Sequence, residues 1–194
     1  MIDVKTHSRE ILPTVAALLD EKSITLGDLD GIVFGQGPGS FTGLRIAVGV
    51  VQGLAYGAGI PVVPVSSLAV LAQGRAIAGD ERVFVAIKAR LEEVYYGAYR
   101  LEGGFAEPAI EEGVCDVSEL QPLQGKDWHI MTDVETLVPK MESSLQVSFA
   151  NMTSNVTPGI SELLELGANA FERGLAVSAL EATPVYLREQ VVFK

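Results

Sequence analysis

Gly35-Gln36-Gly37-Pro38-Gly39-Ser40-Phe41-Thr42-Gly43-Leu44-Arg45 is the stretch on which the reading of this chain turns. The apolar run Ile32-Val33-Phe34 leads in, and an apolar, glycine-studded segment from Leu44 to Gly57 leads out. That order predicts strand, tight loop, helix. Gly35, Gly37 and Gly39 permit backbone conformations closed to other residues, and Pro38 stiffens the middle. Ser40 or Thr42 is placed to cap the helix by accepting its free N–H groups. Two readings stand side by side: a plain strand-to-helix turn, and an anion cradle, because glycines at a helix N-terminus suit phosphate.

Neither standard phosphate motif is satisfied. A Walker loop needs Lys after its last glycine, whereas Leu44 follows Gly43. The pattern Gly-x-Gly-x-x-Gly, started at Gly35 or Gly37, ends on Ser40 or Thr42, and Gly43 arrives one residue late.

Composition narrows the field. The chain has 194 residues, 48% of them hydrophobic, enough for one or two small lobes with a proper core. Its formal net charge is -11, with 14 Lys and Arg scattered rather than striped. Such a chain is a poor nucleic-acid binder alone, since phosphate affinity comes from basic side chains. The single Cys115 excludes an internal disulfide and a multi-cysteine zinc site, and reads as a half-buried strand cysteine. The amino terminus does not have the pattern of a signal peptide. The apolar run Ile46–Val65 contains four glycines, two prolines and Gln52, so helix, turn and strand is preferred over a membrane span. A cytoplasmic location is expected.

Along the chain, Ile11, Val15 and Leu18, with Leu12 and Leu19 alongside, repeat at helical spacing over residues 8–21. Pro13 either lies in that helix's first turn or kinks it. A turn at 27–30 precedes the strand at 31–35. The helix at 41–57 carries Gly49, Gly53 and Gly57 at four-residue spacing. Each costs about 1 kcal/mol relative to alanine in a helix interior, so close helix approach is expected, either inside the fold or to another molecule. A strand at 62–65 and a helix through Gln73, capped by Ser66 or Ser67, complete the first half. The polar break at 78–81 is the expected boundary between lobes 1–79 and 80–194. The second half reads as strands at 83–89, 93–101 and 106–114, a short helix near 117–120, a strand at 128–131, a helix at 134–141, a strand at 145–149, and a helix opened by Pro158 with Ile160, Leu164, Ala168 and Phe171 on one stripe.

The loop motif, followed by Gly53-Leu54-Ala55 and Val65-Ser66-Ser67-Leu68, resembles the bacterial TsaB (YeaZ) family. His7-Ser8-Arg9 with Leu12-Pro13, Val85-Ala86-Ile87 with Ala89-Arg90 and Glu93-Val94-Tyr95, and Pro184-Val185-Tyr186-Leu187-Arg188 extend the likeness over nearly the whole chain. The resemblance implies an α/β fold of the two-lobed actin/Hsp70/sugar-kinase (RNase H-like) type. The second-half order β-β-β-α-β-α-β-α is that superfamily's lobe plan. The first half follows the same plan without its opening three strands, which would leave strand 31–35 with an exposed edge.

The resemblance further implies a non-catalytic partner of a TsaD-like catalytic subunit in forming tRNA N6-threonylcarbamoyladenosine, with a TsaE-like ATPase binding the pair. It also implies a homodimer when the chain is alone, and tRNA contact made mainly through the partner. On this reading helices 8–21 and 41–57 dock through Leu12, Val15, Leu19, Arg45, Gly49, Gly53 and Tyr56. Gly35, Gly37, Gly39, Ser40 and Thr42 form a structural loop with the makings of an anion site. No catalytic residue, metal or cofactor is expected. Superfamily members that use ATP clamp phosphate with β-hairpins, but Lys88-Ala89-Arg90-Leu91-Glu92 has no glycine, and Lys88 and Arg90 read as solvated turn charges. His7 and His129 are far apart, and Glu92-Glu93 and Glu111-Glu112 are adjacent pairs that read as surface charge. The alternatives are an M22-type peptidase or nucleotide hydrolase, and a self-associating regulator.

Overall fold

The computed structural model describes residues 4–154 and 156–187, with the side chains of residues 4–8 and 77 left aside. Arg188 and the side chains of His7 and Ser8 therefore lie outside the described residues. The chain forms two compact units, Met1–Val65 with Gly167–Val185, and Ser66–Leu166 with Tyr186–Lys194. This division departs from a cut at residue 79. The segment after Val65 packs with the second unit, and the chain from Gly167 to Val185 returns to the first.

The first unit begins with α1 (Val4–Lys22), which contains Pro13 in its interior. Strand β1 (Ile32–Gly37), helix α2 (Phe41–Ala58) and strand β2 (Val62–Ser66) follow. The two strands pair with each other as a two-stranded sheet. Ser40 caps α2 by accepting the Gly43 N–H at 3.3 Å, and Gly59, in the left-handed conformation, ends it. The buried residues of α2, namely Val48, Val51 and Ala55, pack with Phe34, Val62, Ala179 and Ala182. The Gln52 amide donates to the Ala182 carbonyl at 2.7 Å, and Val62 forms an antiparallel bridge to Val177. The returning segment is thus part of this core.

The second unit is built on a six-stranded mixed sheet. Helix α3 (Ser67–Gln73), with Ser66 as its N-cap, leads to β3 (Arg82–Arg90) and β4 (Glu93–Glu102). Strands β5 (Phe105–Pro108) and β6 (Gly113–Asp116) both pair antiparallel with β4, where the sequence suggests one strand over 106–114. β7 (His129–Thr132) runs parallel to β3, and β8 (Asn151–Thr153) runs parallel to β7. On one face Phe84, Ala86, Val94, Trp128 and Ile130 pack with Met141 and Leu145 of α4 (Val138–Leu145). On the other, Val83, Val85, Tyr99 and Met131 pack with Leu68 and Leu71 of α3.

The short helix expected near 117–120 is a 3-10 helix, Val117–Glu119, capped by Asp116. Two local expectations are corrected. Leu145 ends α4 instead of opening a strand, and Gln146 closes that helix at φ 55. The edge strand is displaced to 151–153 because the Leu145 side chain is a buried core anchor. Finally, α5 (Ile160–Glu172) starts after Pro158 and Gly159, and of its apolar stripe Ile160, Leu164 and Ala168 point outward, with Ile160 77% exposed, while the partly exposed Phe171 ring lies against Gly31. The inner side is Leu163, Leu166, Gly167 and Ala170. Gly167 explains the rotation, since a Cβ there would lie 2.4 Å from Val33 Cγ1. Only a bare backbone lets α5 approach β1 so closely.

Gly167→Leu should therefore lower unfolding stability by about 1–3 kcal/mol through overpacking, read as a lower urea midpoint. An unchanged midpoint would mean that α5 does not rest on Val33.

Candidate functional site

In α2 the sequence-predicted residues lie away from the core. Gly49, Gly53 and Arg45 are exposed, and Tyr56 is 71% exposed. Cβ atoms built at Gly49, Gly53 and Gly57 would meet nothing within 4 Å. Internal packing therefore does not account for this stripe, which sets aside the expectation of close approach inside the fold. Arg45 places its guanidinium 3.6 Å from the centroid of the exposed Phe41 ring, a cation–π contact that fixes both side chains on one patch.

α1 packs on α2 and leaves a similar face. Leu12 and Leu18 are exposed, while Val15 and Leu19 are half-buried. Between the helices lies a groove of about 510 Å³ lined by Ile11, Val15, Ile46 and Ala47, with Glu10 and Ser40 at its polar margin. The structure thus brings Val15 and the N-terminal half of α2 to one groove. Gly53 and Tyr56 are not among the residues lining it.

The loop between β1 and α2 is a backbone device. Gly37 has φ 110, and its missing Cβ leaves room for Leu44 Cδ1, which would lie 2.9 Å away. The peptide bond from Gly37 to Pro38 is cis. Gly35 and Gly39 do not have positive φ. Ser40 is engaged as the helix cap, and Thr42 is exposed.

The β3–β4 hairpin turns at Leu91, with φ 54 and 85% exposure. Lys88 and Arg90 are exposed beside it. The Lys88 backbone N–H donates to Asp133 Oδ1 at 2.7 Å, and Lys140 pairs with Glu92. The tip offers charged side chains and no glycine backbone for a phosphate. The pair Glu111-Glu112 is more than surface charge: Glu112 accepts the hydrogen bond of the fully buried Tyr99 hydroxyl. Burial and this carboxylate hold the phenol far above its ordinary pKa.

His129 is another residue whose surroundings the sequence does not reveal. It is 3% exposed, and its Nε2 lies 2.8 Å from Thr153 Oγ1. Its Nδ1 faces Asp80 Oδ2 at 3.3 Å, and Asp80 accepts from Arg75 Nε at 2.7 Å. Burial first, and the Arg75 charge second, push the imidazole pKa below its ordinary value, against the pull of Asp80. The ring is neutral at pH 7. The unfolded chain takes up a proton there from about pH 6.5 downward, so this group's contribution to stability is complete above that pH and is lost as the pH falls toward the lower folded value. Hydroxyl, imidazole and carboxylate stand in the order of a hydrolytic triad, but the ring lies inside the protein.

Among the described residues no group of three His, Cys, Asp or Glu side chains is arranged to hold a metal ion. No helix among them is long and apolar enough to cross a membrane.

Comparison with known proteins follows the same lines. A family profile described as TsaD, tRNA N6-adenosine threonylcarbamoyltransferase, matches residues 2–189. The tRNA threonylcarbamoyladenosine biosynthesis protein TsaB of Haemophilus influenzae is 33% identical over 98% of this chain and 83% of its own length. That of Escherichia coli is 34% identical over 98% and 84%. The chain belongs to the TsaB (YeaZ) family. The solved structure of YeaZ from Pseudomonas aeruginosa is 39% identical, with a TM-score of 0.85 over 96% of this chain and 87% of that one. A second structure from that organism, described as similar to peptidase YeaZ, is 40% identical at the same TM-score. The fold of this TsaB-family chain is accordingly of the actin/Hsp70/sugar-kinase type.

Cys115 is half-buried on β6, as expected for a strand cysteine. Burial, then the carboxylates of Glu119, Asp116 and Glu93, push its thiol up to about 11. Alkylation by iodoacetamide at pH 8 should run about a hundredfold slower than for an ordinary cysteine and should accelerate up to a pH near 11. Fast labelling at pH 8 would show that the thiol is accessible and activated.

Proposed function

We propose that this TsaB-family chain is a non-catalytic docking subunit in tRNA threonylcarbamoyladenosine biosynthesis, engaging a TsaD-like catalytic partner through the outward faces of α1 and α2. The role in that biosynthesis rests on family membership. The docking mode rests on one observation: Gly49, Gly53 and Gly57 form a stripe with open space beyond it. Three glycines in one helix carry a cost of about 1 kcal/mol each, and nothing among the described residues packs against them to offset it. A partner helix lying in the stripe would, since small residues let backbones come close. Leu12, Val15 and Leu19 from α1 and Arg45 and Tyr56 from α2 would supply the contact around it.

The acid balance of the chain supports a division of labour in which a partner with basic surface carries the tRNA. A TsaE-like ATPase is a further expected partner, and the same apolar face would pair two copies when the chain is alone. The loop Gly35–Thr42 serves chiefly to aim α2. The alternative, a hydrolase, draws on the Thr153–His129–Asp80 order, and burial of the ring argues against it. ATP or peptide turnover by purified chain, abolished in His129→Gln, would establish that alternative.

Gly53→Leu decides the docking mode. The variant should fold with unchanged or higher thermal stability, because its side chain enters open space and leucine favours helix by about 1 kcal/mol. It should fail to co-purify with TsaD and should lower tRNA modification at least about tenfold in a reconstituted assay, a loss of about 1.4 kcal/mol or more. Full modification activity in the variant would sink this interface.

A further inference from the structure

We propose that His129 is an acid-operated latch on the edge strand β8, closed while the imidazole is neutral and opened by its protonation. The inference is independent of the docking reading. One buried ring ties three separate pieces of chain. It sits on β7, its Nε2 lies 2.8 Å from Thr153 Oγ1 at the end of β8, and its Nδ1 lies 3.3 Å from Asp80 Oδ2 in the connection before β3. The charged groups acting on the ring are Asp80 and Arg75. At its level in the sheet, β3 presents Val83 on one side and β8 presents Asn151 on the other, neither of them titratable.

The Nδ1 atom makes the arrangement sensitive. It is buried and makes no hydrogen bond, although a carboxylate stands within reach. In the neutral tautomer whose Nε2–H donates to Thr153 Oγ1, that nitrogen is left unsatisfied and is the atom that takes up the added proton. An added proton puts a full charge into the sheet. Asp80 cannot neutralise it fully, because Arg75 already holds the same Oδ2 at 2.7 Å. The excess charge therefore favours any state that brings water to the ring.

The weakest cover is β8. It has three residues, among the described strands it lies at the end of the sheet and pairs only with β7, and Asn151 and Met152 are exposed. Lifting it breaks a short parallel ladder and the Thr153 contact, and leaves the β3–β4 and β3–β7 pairings in place. β8 also leads toward α5, so its release loosens the entry to that helix.

Hydrogen exchange of the full chain, followed by mass spectrometry and corrected for intrinsic rates, tests the latch. Between about pH 7.5 and 5, protection of the amides at 150–153 should fall, reaching about tenfold per pH unit once opening takes up one proton. Protection in β3 and β4 should stay level. The fall should begin near pH 6.5, about the value of an exposed imidazole, and level off at the His129 titration read by NMR on the same chain. His129→Gln should abolish the pH dependence. Thr153→Val should lower protection at neutral pH and keep the pH dependence, which preserves a test if the first variant folds poorly. Three results would each overturn the proposal: protection of β8 that ignores pH, a step that survives in His129→Gln, or simultaneous loss of protection across the whole sheet.

Discussion

The way α2 is held governs the surface of the first unit. Val48, Val51 and Ala55 lie on one side of the helix and enter a core with Phe34, Val62, Ala179 and Ala182. Successive residues advance by about 100° around a helix, so burying those three turns Gly49, Gly53 and Gly57 to nearly the opposite side. Gln52 locks the rotation through its bond to the Ala182 carbonyl. The open stripe is therefore a direct consequence of the core. A helix turned by half a revolution would bury the glycines against bulky side chains and leave voids, and would expose two valines.

The second unit rests on burial of β3 from both faces. Val83, Phe84, Val85 and Ala86 are all inaccessible, so the strand carries apolar side chains on successive residues and accepts a helical layer on each side. Buried polar groups sit at the margins of these layers. Gln73 accepts from the Ala106 N–H and donates to the Gly104 carbonyl and Glu165, which joins α3 to β5 and α5. Tyr99 reaches Glu112, and His129 reaches Thr153. Each spans segments that apolar packing alone would leave free to slide, because a buried polar group that loses its partner costs about 1–3 kcal/mol.

Much of this was legible from local signals. Ser40 and Gly59 bound α2 by capping chemistry that needs only neighbouring residues. The runs at 83–89 and 93–101 are apolar and long enough to be strands in any context. The misplaced strand at 145–149 shows where such signals fail: Leu145, Val147 and Phe149 alternate with polar residues as a strand would, but Leu145 was claimed by the core beneath α4. The outward stripe of α5 shows a second failure. Periodicity identifies an apolar face, but α5 carries apolar residues around more than half its circumference, and Gly167 at the β1 contact chose which part turned inward. As for the candidate site, the α2 stripe was legible as glycine spacing, but that it opens outward came only from the structure. The groove with α1 was not, because it depends on how two helices meet.

Length, capping residues, glycine spacing and alternation are properties of contiguous chain. They sufficed for most of the element order, for the strand–loop–helix unit around Gly37, and for the family. The His129 arrangement was out of reach, because Asp80 and Thr153 are distant along the chain and no local rule links a lone histidine to either. So were the Tyr99–Glu112 bond, the split of β5 from β6, and the return of residues 167–185 to the first unit. These depend on which surfaces meet once the sheets form. Burial then sets the cost of every unpaired polar atom, and that cost selects partners that the order of residues does not announce.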